Sequence, residues 1–201
     1  MKFNTESNFF KFLGTFGRFV YLNIVFVITC IPIITIGTSI TALYSTMFKY
    51  INEQDEVFVP NYLKAFKNQF VTSTIYYFLA LVFTGIITFS IYFWYKLDNT
   101  ISWIVVGLLA LLFIAFLFTL FYLFPLLARY TQTGKQVIKN AFLLSIANFL
   151  ITLGILAINI ASIALMYFSP TFRALFAIFG ITFVVYCKAL LLMKAFKKYE
   201  Y

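Results

Sequence analysis

The sequence predicts an all-α, polytopic membrane protein, a bundle of six transmembrane helices that forms one domain over residues 1–201. The chain is 63% hydrophobic and only 10% charged, whereas about 25% of residues are charged in typical soluble domains. Its apolar residues form long continuous runs without strict alternation, which favours helices over the strands of a barrel. The Lys and Arg residues fall mainly in the short polar gaps between these runs, as expected beside a membrane.

Four of the apolar runs are each long enough to cross the hydrocarbon core, which takes about 20 residues. They cover about residues 71–95, 101–124, 141–166 and 174–193. The N-terminal run contains Pro32 and Gly37, and proline breaks a helix because it lacks the backbone donor. We therefore divide this run into two spans, about residues 15–31 and 36–50. The second of them is short, so five crossings are the alternative.

The distribution of basic residues decides between five and six crossings. With five, Lys2, Lys11, Arg18, Lys96 and Arg173 share one side of the membrane, and the other ten of the fifteen Lys and Arg residues lie opposite. With six, only Lys96 and Arg173 lie outside. Because cytoplasmic loops carry the excess of Lys and Arg, the sequence favours six crossings with both termini in the cytoplasm.

Two stretches next to the spans, Asn8–Gly17 and Pro60–Phe70, have apolar residues at helical spacing. This pattern is typical of short amphipathic helices that lie in the membrane interface. Their polar faces, together with the loop before the fifth span, present a surface on which a partner protein could dock. The candidate docking residues are Lys64, Lys67, Asn68, Arg129, Lys135 and Lys139.

The fifth span carries a stripe of polar residues along one helical face. The stripe comprises Ser145, Asn148, Thr152, Asn159 and Ser162, and Asn23 on the first span is a candidate partner. Buried amides in hydrocarbon need hydrogen-bond partners, because an unpaired polar group is costly there. The stripe therefore predicts either a dry hydrogen-bonded seam between helices or the lining of a small polar cavity.

The second span has small residues at four-residue intervals, at Gly37, Thr41 and Ser45. Small residues at this spacing allow two helix backbones to approach closely in a membrane. We interpret this face as a packing surface, and a substrate path lined by the hydroxyl groups is the alternative.

The sequence offers little to a chemical reaction. It contains no His, and its six acidic residues all lie outside the predicted spans, which excludes a proton relay built from these groups. The phosphate-binding pattern G-x-x-x-x-G-K and the nucleophile pattern G-x-S-x-G are both absent. We therefore expect no catalytic site, no metal site and no cofactor. The basic residues border apolar runs, so we expect anionic membrane lipids as partners and not nucleic acid.

Several short stretches together resemble the YesL-like family of bacterial integral membrane proteins. They are Cys30–Gly37 (CIPIITIG), Thr41–Tyr44 (TALY), Phe66–Phe70 (FKNQF) and Phe124–Tyr130 (FPLLARY). Thr38 departs from the pattern, since the family is expected to place proline there. The family has no settled biochemical function. The resemblance implies a protein of the bacterial cell membrane, often encoded beside sugar-uptake systems, and hence an accessory to carbohydrate uptake whose partner is a membrane protein of a transport system.

These observations together predict a non-enzymatic accessory or scaffold protein. The alternative is a carrier or channel for a small neutral solute that would pass along the stripe of Asn148 and Asn159.

Overall fold

The computed structural model describes residues 8–53, 56–97, 99–130 and 134–199, and the regular elements in this part of the chain are helical. The α-helices are α1 (Asn8–Cys30), α2 (Ile36–Glu53), α3 (Phe58–Lys96), α4 (Thr100–Arg129), α5 (Lys135–Ala147), α6 (Phe149–Phe168), α7 (Pro170–Leu175) and α8 (Ile181–Lys197). A 3₁₀ turn at Ile33–Thr35 leads into α2, and a π-helical turn at Phe176–Gly180 joins α7 to α8. The predicted fold class, an all-α membrane bundle, is confirmed.

Within the described residues, five helices are long and apolar enough to cross a membrane. They are Leu13–Cys30 in α1, the whole of α3, α4 and α6, and the run Pro170–Lys197 that comprises α7, the π turn and α8. Helix α2, the short second span of the prediction, is not among them. Its 18 residues make a helix of about 27 Å, and its many hydroxyl-bearing residues lower its apolarity.

Helix α2 lies at the centre of the bundle and packs against α1, α3, α4 and α8. Thr38, Ala42, Leu43 and Met47 on α2 are completely buried. Other helices therefore enclose it, so its surroundings are protein and its polar residues meet backbone and side-chain partners.

Gly37 brings α2 into close contact with α3. A Cβ atom at Gly37 would lie 2.5 Å from the Cβ of Tyr77 and 2.9 Å from the carbonyl oxygen of Ser73. One residue later, the hydroxyl of Thr38 donates to the carbonyl of Phe70 at 3.2 Å and lies 3.1 Å from the hydroxyl of Thr74. The small-residue face of α2 is thus a packing surface, as predicted.

The structure differs from the prediction of two separate interfacial helices. Pro60–Phe70 forms the first turns of α3, which continues without interruption for 39 residues, or about 58 Å. Its proline stands in the first turn, where a missing N–H costs no helical bond. Tyr62 in this stretch is completely buried, because the apolar face packs into the bundle. Asn8–Gly17 likewise begins α1, although its side chains from residue 8 to residue 12 lie outside the described part.

The predicted fifth span, 141–166, is also divided in the structure. Asn148 separates α5 from α6 and adopts non-helical dihedral angles, φ −116° and ψ 48°. The amide of Asn148 donates to the carbonyl of Leu144 at 3.2 Å, and asparagine side chains commonly compete in this way with the helical backbone. The polar stripe therefore extends over two helices that meet at an interruption.

The helices of the bundle carry large apolar side chains on their outer faces. Val71 and Phe89 on α3, Ile104 and Leu108 on α4 and Ile163 on α6 are each more than 60% exposed. Exposed apolar surface on this scale is expected where lipid, and not water, surrounds a protein. Together with the five long apolar helices, it supports a membrane location.

Candidate functional site

The first half of the polar stripe forms a hydrogen-bonded seam at the junction of α4, α5 and α6. Ser145 and Thr152 are buried, and the Ser145 hydroxyl donates to the carbonyl of Phe142 at 2.8 Å. The Thr152 hydroxyl donates to the carbonyls of Ser145 at 2.8 Å and Asn148 at 3.2 Å, which bridges the helix interruption. It also lies 3.1 Å from the phenol oxygen of Tyr122. These contacts pair the seam's polar groups within the protein.

Asn23, proposed above as a partner of this stripe, instead pairs with the last helical run. Its side-chain nitrogen donates to the carbonyl of Ala177 at 2.7 Å. Its side-chain oxygen accepts from the backbone N–H of Thr182 at 3.1 Å and from the Thr182 hydroxyl at 3.2 Å. The amide thus connects a carbonyl and an N–H five residues apart, across the π-helical turn. Inserting a side chain into the helical ladder is a recognised cause of such irregular turns.

The second half of the stripe faces α8. The side-chain nitrogen of Asn159 donates to the carbonyl of Ile155 at 3.0 Å, and its oxygen accepts from the ammonium of Lys188 at 2.5 Å. The Ser162 hydroxyl donates to the carbonyl of Ile158 at 2.7 Å. Asn159, Ser162 and Lys188 are half-buried. In the sequence, Lys188 lies within an apolar run. A lysine this close to a helix end is expected to extend to the membrane surface, so its pairing with Asn159 is not expected from the sequence.

Ser162 also lines a crevice of about 420 Å³ between α6 and the run from α7 to α8. Phe172, Phe176, Phe179 and Phe183 supply much of its wall, and Cys187 lies at one side. The crevice is therefore apolar, with the hydroxyl of Ser162 as a polar group at its edge.

Five of the six candidate docking residues are exposed: Lys64, Lys67, Asn68, Lys135 and Lys139. They lie on two elements, α3 and α5, and the phenol of Tyr76 on α3 donates to the carbonyl of Gly134 at 2.9 Å. Gly134 immediately precedes α5. The start of α5 is therefore held against α3, and we call these five exposed residues the basic surface.

Arg129 differs from the other five candidates because its guanidinium group lies against aromatic rings. The distances from its central carbon to the ring centroids of Phe48, Tyr130 and Phe196 are 5.9, 5.9 and 5.7 Å. This geometry is that of cation–π contacts. Arg129 thus joins the ends of α2, α4 and α8, and its main contribution is to hold the bundle together.

A further polar cluster, which the sequence reading missed, lies where α1, α2 and α3 meet. The hydroxyl of Thr29 lies 2.5 Å from the phenol oxygen of Tyr62. The hydroxyl of Ser39 donates to the same Thr29 hydroxyl at 3.2 Å. Thr35 donates to the carbonyl of Thr29 at 2.5 Å. Tyr62 could have been recognised as buried only if Pro60–Phe70 had been assigned to the bundle.

The described residues contain no cluster of three or more His, Cys, Asp or Glu side chains that could bind a metal ion. Cys30 and Cys187 are both free thiols in half-buried positions.

Comparisons with known proteins show what parts of this chain resemble. The model of the family described as "Protein of unknown function, DUF624" matches residues 19–91, which cover about half of α1, all of α2 and most of α3. The uncharacterized protein YteU of Bacillus subtilis (strain 168) is 27% identical over 187 residues, covering 88% of this chain and 80% of YteU. No solved structure matches the chain. The two matches confirm the family resemblance predicted from the sequence.

Proposed function

We propose that this protein is a non-enzymatic accessory or scaffold component of the bacterial cell membrane that docks a membrane protein of a transport system on its basic surface. The association with carbohydrate uptake is part of the proposal and comes from the family resemblance. The proposal places both termini in the cytoplasm, since the positive-inside rule assigns the basic surface to that side.

The observation that carries the proposal is the exposure of the basic surface on α3 and α5. Lys64, Lys67 and Asn68 extend from α3 and Lys135 and Lys139 from α5, while Tyr62 on α3 and Val137 on α5 are buried beneath them. These buried residues hold the two segments against the bundle, while the cationic side chains stay exposed and available to a partner. Complementary charge guides association and sets specificity in protein interfaces.

The packing of the first half of the polar stripe, at Ser145 and Thr152, supports a docking protein over a carrier for a neutral solute. A carrier needs polar groups that are free to exchange their partners with a solute and with water. Ser145 and Thr152 instead donate to backbone carbonyls within α5 and at the helix interruption. Their hydroxyls satisfy the local backbone, as expected for a structural seam.

Photo-crosslinking in native membranes tests this proposal. A crosslinking amino acid at Asn68 should capture a membrane component of a transport system, whereas the same amino acid at Ile104, on the lipid-facing side of α4, should capture only lipid. Replacing Lys64 and Lys67 with Glu should abolish the protein crosslink from Asn68 because it reverses the charge that attracts the partner. Crosslinks from Asn68 to lipid and to the protein itself alone would contradict the proposal.

A further inference from the structure

Lys188 is a cation within a helical run that is apolar enough to cross a membrane, Pro170–Lys197. The five candidate spans contain no Asp or Glu, since the acidic residues of the chain are Glu6, Glu53, Asp55, Glu56, Asp98 and Glu200. Among the described residues, its ammonium donates to one partner, the side-chain oxygen of Asn159. An ammonium has three N–H donors, so an anionic group can still bind to it.

Asn159 presents its oxygen to Lys188 in a fixed orientation. Its side-chain nitrogen is held by the carbonyl of Ile155, so the oxygen of the same amide points toward α8. The pair gives Lys188 a defined position between α6 and α8. However, an amide is neutral and does not balance the charge of the lysine, and a charge removed from water without a counter-charge is costly.

The apolar crevice between α6 and the last helical run is lined by residues that neighbour this pair in the sequence. Val184 and Cys187 line the crevice, one turn before Lys188 and next to it in the sequence. On the opposite wall, Ile158 and Ser162 line it, and Asn159 lies between them in the sequence. The Lys188–Asn159 pair therefore joins the same two helices as the crevice, whose walls are almost entirely hydrocarbon.

The outer margin of the crevice continues into the lipid-facing surface. Leu165, Phe172 and Phe183 on its walls are 43%, 40% and 50% exposed. A slot that opens on this apolar surface admits an acyl chain directly from the bilayer. Lys194 and Lys197 follow Lys188 toward the end of α8 and are exposed, so the cationic side of the slot is directed to the end of the helix that the predicted topology places at the inner leaflet.

We propose that this crevice is a binding site for an anionic phospholipid, with one acyl chain in the crevice and the headgroup phosphate bound by Lys188. Two features indicate this occupant. The crevice is apolar and opens to lipid, and the ammonium of Lys188 has no carboxylate partner among the described residues. A zwitterionic phospholipid fits the slot but adds a positive group next to Lys188, so an anionic headgroup is preferred.

Native mass spectrometry of the full-length protein tests the site. The protein is reconstituted in nanodiscs of equal parts phosphatidylglycerol and phosphatidylcholine, extracted with mild detergent, and analysed for the lipids that remain bound. Wild type should retain phosphatidylglycerol in preference to phosphatidylcholine. Lys188→Met should reduce that preference about tenfold, the factor that one charge-assisted hydrogen bond contributes.

Three variants separate the site from general charge effects. Lys194→Met removes an exposed lysine of the same helix and should leave the preference unchanged, while Lys188→Arg keeps the charge and should preserve it. Ala161→Trp fills the crevice from an exposed position on α6 and should abolish retention of both lipids. Equal losses in Lys188→Met and Lys194→Met would overturn the proposal. Full retention of lipid by Ala161→Trp would also overturn the proposal. This variant keeps Lys188, so it tests the crevice even if Lys188→Met fails to fold.

Discussion

Gly37 offers a direct test of the packing between α2 and α3. In the variant Gly37→Ala the new methyl group would lie 2.5 Å from the Cβ of Tyr77 and 2.9 Å from the carbonyl oxygen of Ser73. Neither neighbour is the end of a flexible side chain, so the two helix backbones have to separate. Overpacking of a well-packed core costs about 1–3 kcal/mol, and the short Cβ–Cβ distance places this variant in the upper part of that range.

The gain in helix propensity offsets only part of this cost. Alanine is favoured over glycine by about 1 kcal/mol in a helix interior, but Gly37 is the second residue of α2, where the gain is smaller. We expect a net loss of about 1–3 kcal/mol, equivalent to a fall in Tm of about 2–12 °C for a chain of this size.

Thermal unfolding in detergent, followed with a thiol-reactive dye, measures this loss. The two free cysteines, Cys30 and Cys187, are half-buried and become reactive on unfolding. Gly85→Ala is the matched control, because a Cβ atom at Gly85 would meet nothing within 4 Å. The control should unfold at the wild-type temperature or slightly above it. If Gly37→Ala proves as stable as Gly85→Ala, the close approach of α2 and α3 is refuted.

Three further predictions concern the buried amide, the seam and the topology. Asn23→Leu should destabilise the protein by about 1–3 kcal/mol in the same assay, because the carbonyl of Ala177 and the N–H of Thr182 lose their partner. An unchanged Tm would contradict a stabilising role for the hydrogen bonds of Asn23 to Ala177 and Thr182. Thr152→Val should cost about 0.5–1.5 kcal/mol, the usual value of a lost hydrogen bond, and no loss would show that the hydroxyl does not stabilise the helix interruption. In a chain without its native cysteines, a cysteine at Lys96 should react with an impermeant maleimide in intact cells and one at Lys135 only after permeabilisation; the reverse pattern would invert the topology.

The long spans could be predicted from the sequence because every side chain that faces lipid has to be apolar. Helices α3, α4 and α6 expose apolar side chains along much of their length, so the parts of their sequences that face lipid are predominantly apolar. Such a requirement is visible in a single sequence without any knowledge of neighbouring helices. The break at Asn148 left no comparable sign, because one asparagine within an apolar run is equally consistent with a straight helix.

The partners of the buried polar residues could not be predicted in the same way. Helical periodicity identified Asn159 as inward-facing, and Asn23 was named as a candidate partner, but periodicity gives the face of a helix and not the residue opposite. Asn23 pairs with Thr182, and Asn159 with Lys188, 29 residues away. Each pairing depends on which helices are neighbours in the bundle. The sequence therefore predicted an inward-facing polar stripe, as a seam or a cavity lining, and the structure was needed to assign its separate contacts.

Helix α2 explains why charge and apolarity lead to different numbers of crossings. The charge distribution favours six, whereas five helices meet the requirement for apolarity. A helix that is enclosed by other helices does not need the apolar surface of one that faces lipid, because its hydroxyls are paired with protein. Thr41 and Thr46 are buried, and each donates to the carbonyl four residues before it, at 2.9 Å. The low apolarity of α2 therefore reflects its central position. The two counts agree if α2 crosses the membrane inside the bundle, and its length of about 27 Å is close to the thickness of the hydrocarbon core, about 30 Å.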